Sequence, residues 1–477
     1  MAGKALNKKN LMELDKDVLA QLLLDTVKGD AARQRHVRMA LSAEQGATDV
    51  AADVRKRFAS IRRARSFISR GSQKKLAKEL TDLVGLIEIR LAQDTPDTAF
   101  DLLWAMLALA PSIYERTDDS WGTIGEVMDT CMEAVARLAP RLDIDPTSLA
   151  ETVFDALQDN GYGQYDGLVV ALADPLGDAG LSMLADRAQA AKAAPLTDAD
   201  LHRYRFIHDA AEREHAARNA RDLTMRILLK DVADLRGDVD AWLSQYSAEQ
   251  LTFATIAPDA TRRLLTAGRP EEALATIQAC LARSDRRHPM GLDSEVDEAH
   301  FECLAALGQR DELRTALRSK FETHLCPDAL RRYLKSLPDF EDDEALEQAR
   351  AHVLDFPDVI TALVFCHDWP DPRLADDLIT VRHDEFDGYA YEVLTPVADW
   401  LVPQHPLAAV ILWRSMIRFA LEKGRSKRYR HAARHLEACA AADAAIPSYG
   451  SHQDHMDFVR DLETRFGRSQ AFWRLVR

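Results

Sequence analysis

Two near-copies of one phrase, Leu264-Leu265-Thr266-Ala267-Gly268-Arg269-Pro270-Glu271-Glu272-Ala273-Leu274 and Leu304-Ala305-Ala306-Leu307-Gly308-Gln309-Arg310-Asp311-Glu312-Leu313, stand with their glycines 40 residues apart. Each ends an apolar helix on Gly, the residue that takes a left-handed C-terminal cap without steric penalty, and opens the next helix with an acidic first turn that suits the helix dipole. A short helix with one apolar stripe cannot bury that stripe alone, so phrases of this kind are satisfied by stacking neighbour on neighbour. The expected fold is therefore all-α, an irregular α-solenoid of helix-turn-helix repeats of tetratricopeptide or HEAT type.

The rest of the chain carries the same period. Leu11, Leu14, Val18 and Leu22 predict a first helix, Leu102 to Leu109 a more buried one, and Ile124, Val127, Cys131, Val135 and Leu138 another. Asp145-Pro146 joins an N-cap acid to a proline at the first helical position, ahead of the stripe Leu149, Val153, Ala156 and Leu157. Alternating, strand-like stretches are nearly absent. Gly161 to Gly167 is expected as a loop, and turns are expected at Gly237, Gly268, Gly308, Pro370 and His405-Pro406. Asp339 to Glu347 is expected as an acidic loop. The small residues and proline of Ala190 to Asp198 predict a junction, giving an N-terminal helical domain over 1–194, a solenoid over 195–445 and a C-terminal capping helix over 446–477.

With 47% apolar and 29% charged residues in 477, the chain has the balance of an ordinary globular protein. Its net charge of -16 repels polyanions in bulk, so a nucleic acid or anionic membrane could be met only through a local basic patch. The six cysteines stand singly, without a C-x-x-C pair, which is usage of a reducing compartment. Met1 to Asn10 is polar, without the apolar core of a signal peptide, and the longest apolar run, Leu102 to Pro111, is about half of what a membrane span requires. A soluble cytoplasmic protein is expected, and the richness in Ala, Arg and Asp points to a bacterium.

The strongest charge feature is Val54 to Lys78, with ten cations and no carboxylate. Read as one basic amphipathic helix, it brings Val54, Phe58, Ile61 and Ile68 to one face and gathers Arg55, Lys56, Arg62, Arg63 and Arg70 on an arc about 120° wide. Those five are the candidate binding residues, for phosphates or for an acidic partner. The alternative is a solvated face whose cations pair with this protein's own acids. The lack of aromatics on the polar face argues against base recognition.

A second constellation is His431, His435 and Cys439, at i, i+4 and i+8, with His452, Asp454 and His455 following. Imidazoles at i and i+4 can share a metal ion, but Ala432 follows the first of them, so the general base of an H-E-x-x-H motif is missing. A helix interface is the alternative use. Asp118-Asp119-Ser120-Trp121-Gly122 lacks the ligand spacing of a calcium loop and is expected to cap a helix. His367-Asp368 and His383-Asp384-Glu385 are acid–base pairs without an assignable nucleophile, and no phosphate-binding glycine loop or nucleophile elbow is present.

Asp118-Asp119-Ser120-Trp121-Gly122, then Asp145-Pro146 with Leu149-Ala150 and Phe154, then Leu176-Gly177-Asp178-Ala179-Gly180-Leu181, resemble the helical region that follows the zinc finger in bacterial SWIM-type zinc-finger proteins. Arg428-Tyr429-Arg430-His431-Ala432-Ala433-Arg434-His435-Leu436 and Gly467-Arg468-Ser469-Gln470-Ala471-Phe472-Trp473 are similar to the close of that region, which also occurs alone as a bacterial family of unknown function. The resemblance implies helical repeats and no activity. The finger's C-x-C and C-x-H elements do not occur here, so its zinc is not implied, and Ser469-Gln470 stand where a Lys is expected.

The expected function is a non-enzymatic scaffold or adaptor with a protein partner and no catalytic residue, cofactor, metal or membrane. Polyanion binding through helix 54–78 is the alternative, and a metal-dependent enzyme centred on His431 and His435 a second.

Overall fold

The computed structural model describes residues 6–29, 33–34, 37–38, 41, 47–283 and 293–476, with no side-chain description at 9, 47 and 293. Residues 1–5 of the polar N-terminus lie outside the described residues. Helices and their connecting turns account for the described chain, with no strand among the described residues. No helix among them is long and apolar enough to cross a membrane.

The two glycine phrases perform as stops. Gly268 and Gly308 have φ of 72° and 67°. Behind them Arg269 N–H donates to Leu264 O and Gln309 N–H to Leu304 O, each at 2.9 Å, so both helix ends are closed by the Schellman motif. Gly237 and Gly424 close their helices in the same way, through Asp238 N–H to Ala233 O and Arg425 N–H to Ala420 O, both 2.9 Å. The chain therefore reverses at each glycine without leaving carbonyls unsatisfied, and successive helices lie against one another.

Two compact units result, Met1–Leu251 and Thr252–Arg477, each with its own apolar core. In the second, Ala257–Thr266 packs on Pro270–Leu281 and on Asp293–Ala306, which packs on Arg310–His324, and Arg310–His324 in turn on Pro327–Ser336. Farther on, Pro372–Val381 and Tyr391–Leu401 pack on Pro406–Glu422, which carries Tyr429–Asp443, and that helix carries Gln470–Val476. Packing on the next helix and the next but one is the connectivity of an α-solenoid. α-Helix lengths from 7 to 17 residues in this unit make it irregular.

In the first unit Asp145 caps the Pro146–Gln158 helix as expected, accepting Ser148 N–H at 2.8 Å. Ala173–Ala193 packs on it and kinks at Gly177, φ 50°. A Cβ at Gly180 would lie 2.9 Å from Pro146 O, so this glycine sets the close approach of the two helices.

Four expectations are revised. The stripe Leu11, Leu14, Val18 and Leu22 is split: Leu11 is in the Lys8–Met12 helix, Leu14 in the bend after it, and Val18 and Leu22 in the Lys16–Val27 helix, because the Asp15 side chain accepts Asp17 N–H at 2.9 Å and starts a new helix; Val18 and Leu22 are exposed. Asp339 to Glu347 is mostly helix, since Glu341, Asp342, Asp343 and Glu344 form the first turn of Glu341–Leu354, where carboxylates favour the dipole. The junction expected at 194/195 falls inside the first unit: Arg221 donates to Ala194 O at 2.7 Å and Pro195 O at 3.2 Å, binding that stretch to the Ala210–Arg236 helix. The basic helix 54–78 is two helices, as follows.

Candidate functional site

Val54 to Lys78 breaks between the helices Ala47–Arg63 and Arg70–Leu86. Arg116 makes the break. Its guanidinium donates to Ile61 O and Ser66 O, both at 3.2 Å, while Arg116 O accepts Ile68 N–H at 2.7 Å, and Thr117 Oγ1 donates to Ile68 O at 3.4 Å. Carbonyls and amides that a continuous helix would have used are satisfied by residues far along the chain, so residues 64–69 stand as a fixed loop.

The apolar face is where the periodicity put it, with Val54, Phe58, Ile61 and Ile68 buried. Arg55, Lys56, Arg62, Arg63 and Arg70 are all exposed. Of the ten cations only Arg57 is ion-paired among the described residues, with Glu79 at 2.7 Å. Two other acids, Asp119 and Asp118, are held by other partners. Asp119, which the sequence assigned to helix capping, accepts Ile124 N–H and Gly125 N–H at 3.0 Å and also Gln73 Nε2 at 2.5 Å. Asp118 is held by Ser120, whose hydroxyl and N–H lower its carboxyl below the usual range.

Two residues missed from the sequence stand among these cations. Phe67 is 71% exposed on the fixed loop, and Trp121 is 73% exposed with the Arg70 guanidinium 4.8 Å from its ring centroid. Phe67 had a signal, since at 100° per residue it falls well off the apolar stripe. Trp121 had none in the basic segment, because only folding carries it there.

The second unit has a different feature. Pro270–Leu281, Asp293–Ala306 and Arg310–His324 together border an open groove of about 730 Å³. Leu281, Phe301, Leu304 and Ala316 line its apolar part, and Gln278, Thr315, Ser319 and Thr323 its polar part. On one wall Lys320 and Asp297 pair at 2.5 Å with side chains only 15% and 16% exposed. Burial beside this pair lowers the His300 pKa and keeps the imidazole neutral, with the Asp297 charge opposing. Asp311 and Glu312, the acids that follow Gly308, lie at the mouth.

The histidine constellation does not assemble. Among the described residues no three His, Cys, Asp or Glu side chains form a metal-sized cluster. His431 is exposed, with its Nδ1 3.1 Å from Arg434 Nη2, whereas His435 and Cys439 are buried in the core. Burial, with Arg434 adding, takes the His435 pKa down to about 4, and burial takes the Cys439 thiol up to about 12. His452 and His455 are also held neutral by burial, and the Arg414 charge adds to this in both. That guanidinium, 5% exposed, donates to Gln453 O at 2.6 Å and lies 4.5 Å and 5.3 Å from the Phe458 and Tyr449 ring centroids. A buried cation there opposes a metal ion. His367 and His383 pair with their neighbouring Asp368 and Asp384, at 3.3 and 2.9 Å, and their rings lie edge-on to Trp400 and His452, with no Ser or Cys nucleophile in either pair.

The chain matches a family of unknown function, DUF6880, over residues 1–475. No curated protein matches it. A solved structure described as a circular tandem repeat protein with novel repeat topology and enhanced subunit contact surfaces is 14% identical over 96% of both chains, with a TM-score of 0.16, too low a superposition for anything here to follow from it.

Proposed function

The chain belongs to the DUF6880 family of unknown function, and for it we propose a non-enzymatic role as a cytoplasmic scaffold or adaptor that holds a segment of a protein partner in the groove of its second unit, with residues 446–477 as the terminal cap. The likeness to the helical region of SWIM-type proteins is part of this proposal. The observation that carries it is the groove itself. It spans three consecutive helices and offers an apolar strip, half-buried at Leu281 and Ala316 and buried at Phe301 and Leu304, beside hydroxyl and amide groups, with no nucleophile–base pair among the described residues. Such a surface fits an amphipathic segment whose apolar anchors meet Leu281 and Ala316 while basic flanks face Asp311 and Glu312.

The test uses cells of the native host expressing the full chain with a photo-crosslinking residue at Gln278. A defined partner should be captured, and Thr315→Trp or Ser319→Arg, which fill the groove from exposed positions, should remove it while leaving the melting temperature unchanged. Capture of the same proteins by both variants would overturn the reading.

A further inference from the structure

Nine cations of Val54 to Lys78 are left without an ion pair among the described residues, although the chain has 77 carboxylates to offer. A merely solvated face of an acidic protein would recruit some of them. Instead the fold spends its neighbouring acid, Asp119, on backbone amides and brings up an aromatic, Trp121. Phe67 and Trp121, each more than two-thirds exposed, lie on loop segments 66–68 and 116–121 that Arg116 and Thr117 bind together. Arg62, Arg63, Arg65 and Arg70 flank Phe67 in sequence and are all exposed.

We propose that this surface of the first unit, Arg62, Arg63, Arg65, Phe67, Arg70 and Trp121, binds single-stranded nucleic acid. Unpaired guanidiniums meet the phosphates, and the exposed rings stack on bases, a combination that reads the π-face every base has and therefore needs no sequence. A duplex hides its bases from such rings, so the aromatic pair selects the single strand. An anionic membrane satisfies the cations less well, because inserting Trp121 into lipid would carry the Arg70 guanidinium over its ring, and the exposed Asp118 beside it, toward the apolar layer. The site belongs to the first unit and the groove to the second, and failure of this proposal leaves that one untouched.

The experiment measures fluorescence anisotropy of a labelled 15-nucleotide oligouridine with the purified full chain at low salt, beside a duplex of equal length and vesicles containing phosphatidylserine. Single strand should bind more tightly than duplex. Affinity should fall with salt at a log–log slope of about -3, corresponding to some four phosphates. Phe67→Ala and Trp121→Ala should each weaken binding about 5- to 100-fold with the slope unchanged, and Arg62→Gln with Arg63→Gln should make the slope shallower. Both rings are exposed, so circular dichroism melts of these variants should match the parent chain. No binding at low salt, equal binding of duplex without dependence on the rings, or binding to vesicles alone would each overturn the proposal.

Discussion

Replacing Gly388 by alanine should destabilise the second unit, and the structure gives the size of the effect. Gly388 is buried at the start of a short 3-10 turn that packs against the Pro406–Glu422 helix. Its added Cβ would lie 2.7 Å from Met416 Cα and from Phe419 Cβ, and closer still to Ser415 O. Ordinary contact begins near 3.4 Å, so clearing Met416 Cα and Phe419 Cβ alone requires the turn or the helix to move by about 0.7 Å, and clearing Ser415 O requires more. Two of the three obstacles are backbone of a helix whose residues 408–414 are all buried, and no side chain can swing aside to absorb the shift. Overpacking of this kind costs about 1–3 kcal/mol, and with backbone as the obstacle the upper end applies. For a unit of this size that is a fall of roughly 6–12 °C in melting temperature. Gly85→Ala is the control. It lies within the Arg70–Leu86 helix with nothing within 4 Å of its Cβ position, so the same chemical change should stabilise the first unit by about 0.5–1 kcal/mol. Calorimetry of both variants, with hydrogen exchange over residues 406–422 to locate the loss, decides it. A Gly388→Ala protein that melts within a degree of the parent would refute the packing argument.

Acid should weaken the second unit through its histidines. His435 has a folded pKa of about 4 against an unfolded value near 6.5. Between those values the unfolded chain binds the proton and the folded chain does not, so stability is complete above pH 6.5 and falls as pH drops toward 4, by up to roughly 3 kcal/mol from this residue. His300, His452 and His455 shift in the same direction. Urea midpoints between pH 7 and 5 should therefore fall, and His435→Leu should flatten the slope; an unchanged slope would show that His435 titrates normally. Asp231 goes the other way, its carboxyl raised to about 6 by burial and by the Asp234 charge, so Asp231→Asn should raise the urea midpoint at pH 7.5 and lose that advantage near pH 4. Arg116→Met removes the donors to Ser66 O and Ile61 O. It should speed amide exchange over residues 64–70 at least tenfold, with little change over the Thr123–Leu138 helix.

Local chemistry was legible in the linear order. Gly268 and Gly308 as helix stops, Asp145 as a cap, Asp119 as a capping acid and the buried stripe of Thr123–Leu138 all depend on neighbours within about one helical turn, and each appears as the residue types require. The all-α class followed because the same signals recur along the chain. What the sequence could not supply was whatever depends on a distant residue. Whether Val54 to Lys78 runs on as one helix was decided by the guanidinium of Arg116, some 50 residues away. Whether the 194/195 stretch separates domains was decided by Arg221, and whether His431 and His435 meet at one ion by the burial of one and the exposure of the other. The basic surface shows the division most plainly. Periodicity determined its charges and its buried face, since both follow from 100° per residue. Its aromatic character came only with the tertiary structure, because Trp121 reaches Arg70 through the packing of the Arg70–Leu86 and Thr123–Leu138 helices, and contacts between segments separated along the chain leave no local period to read.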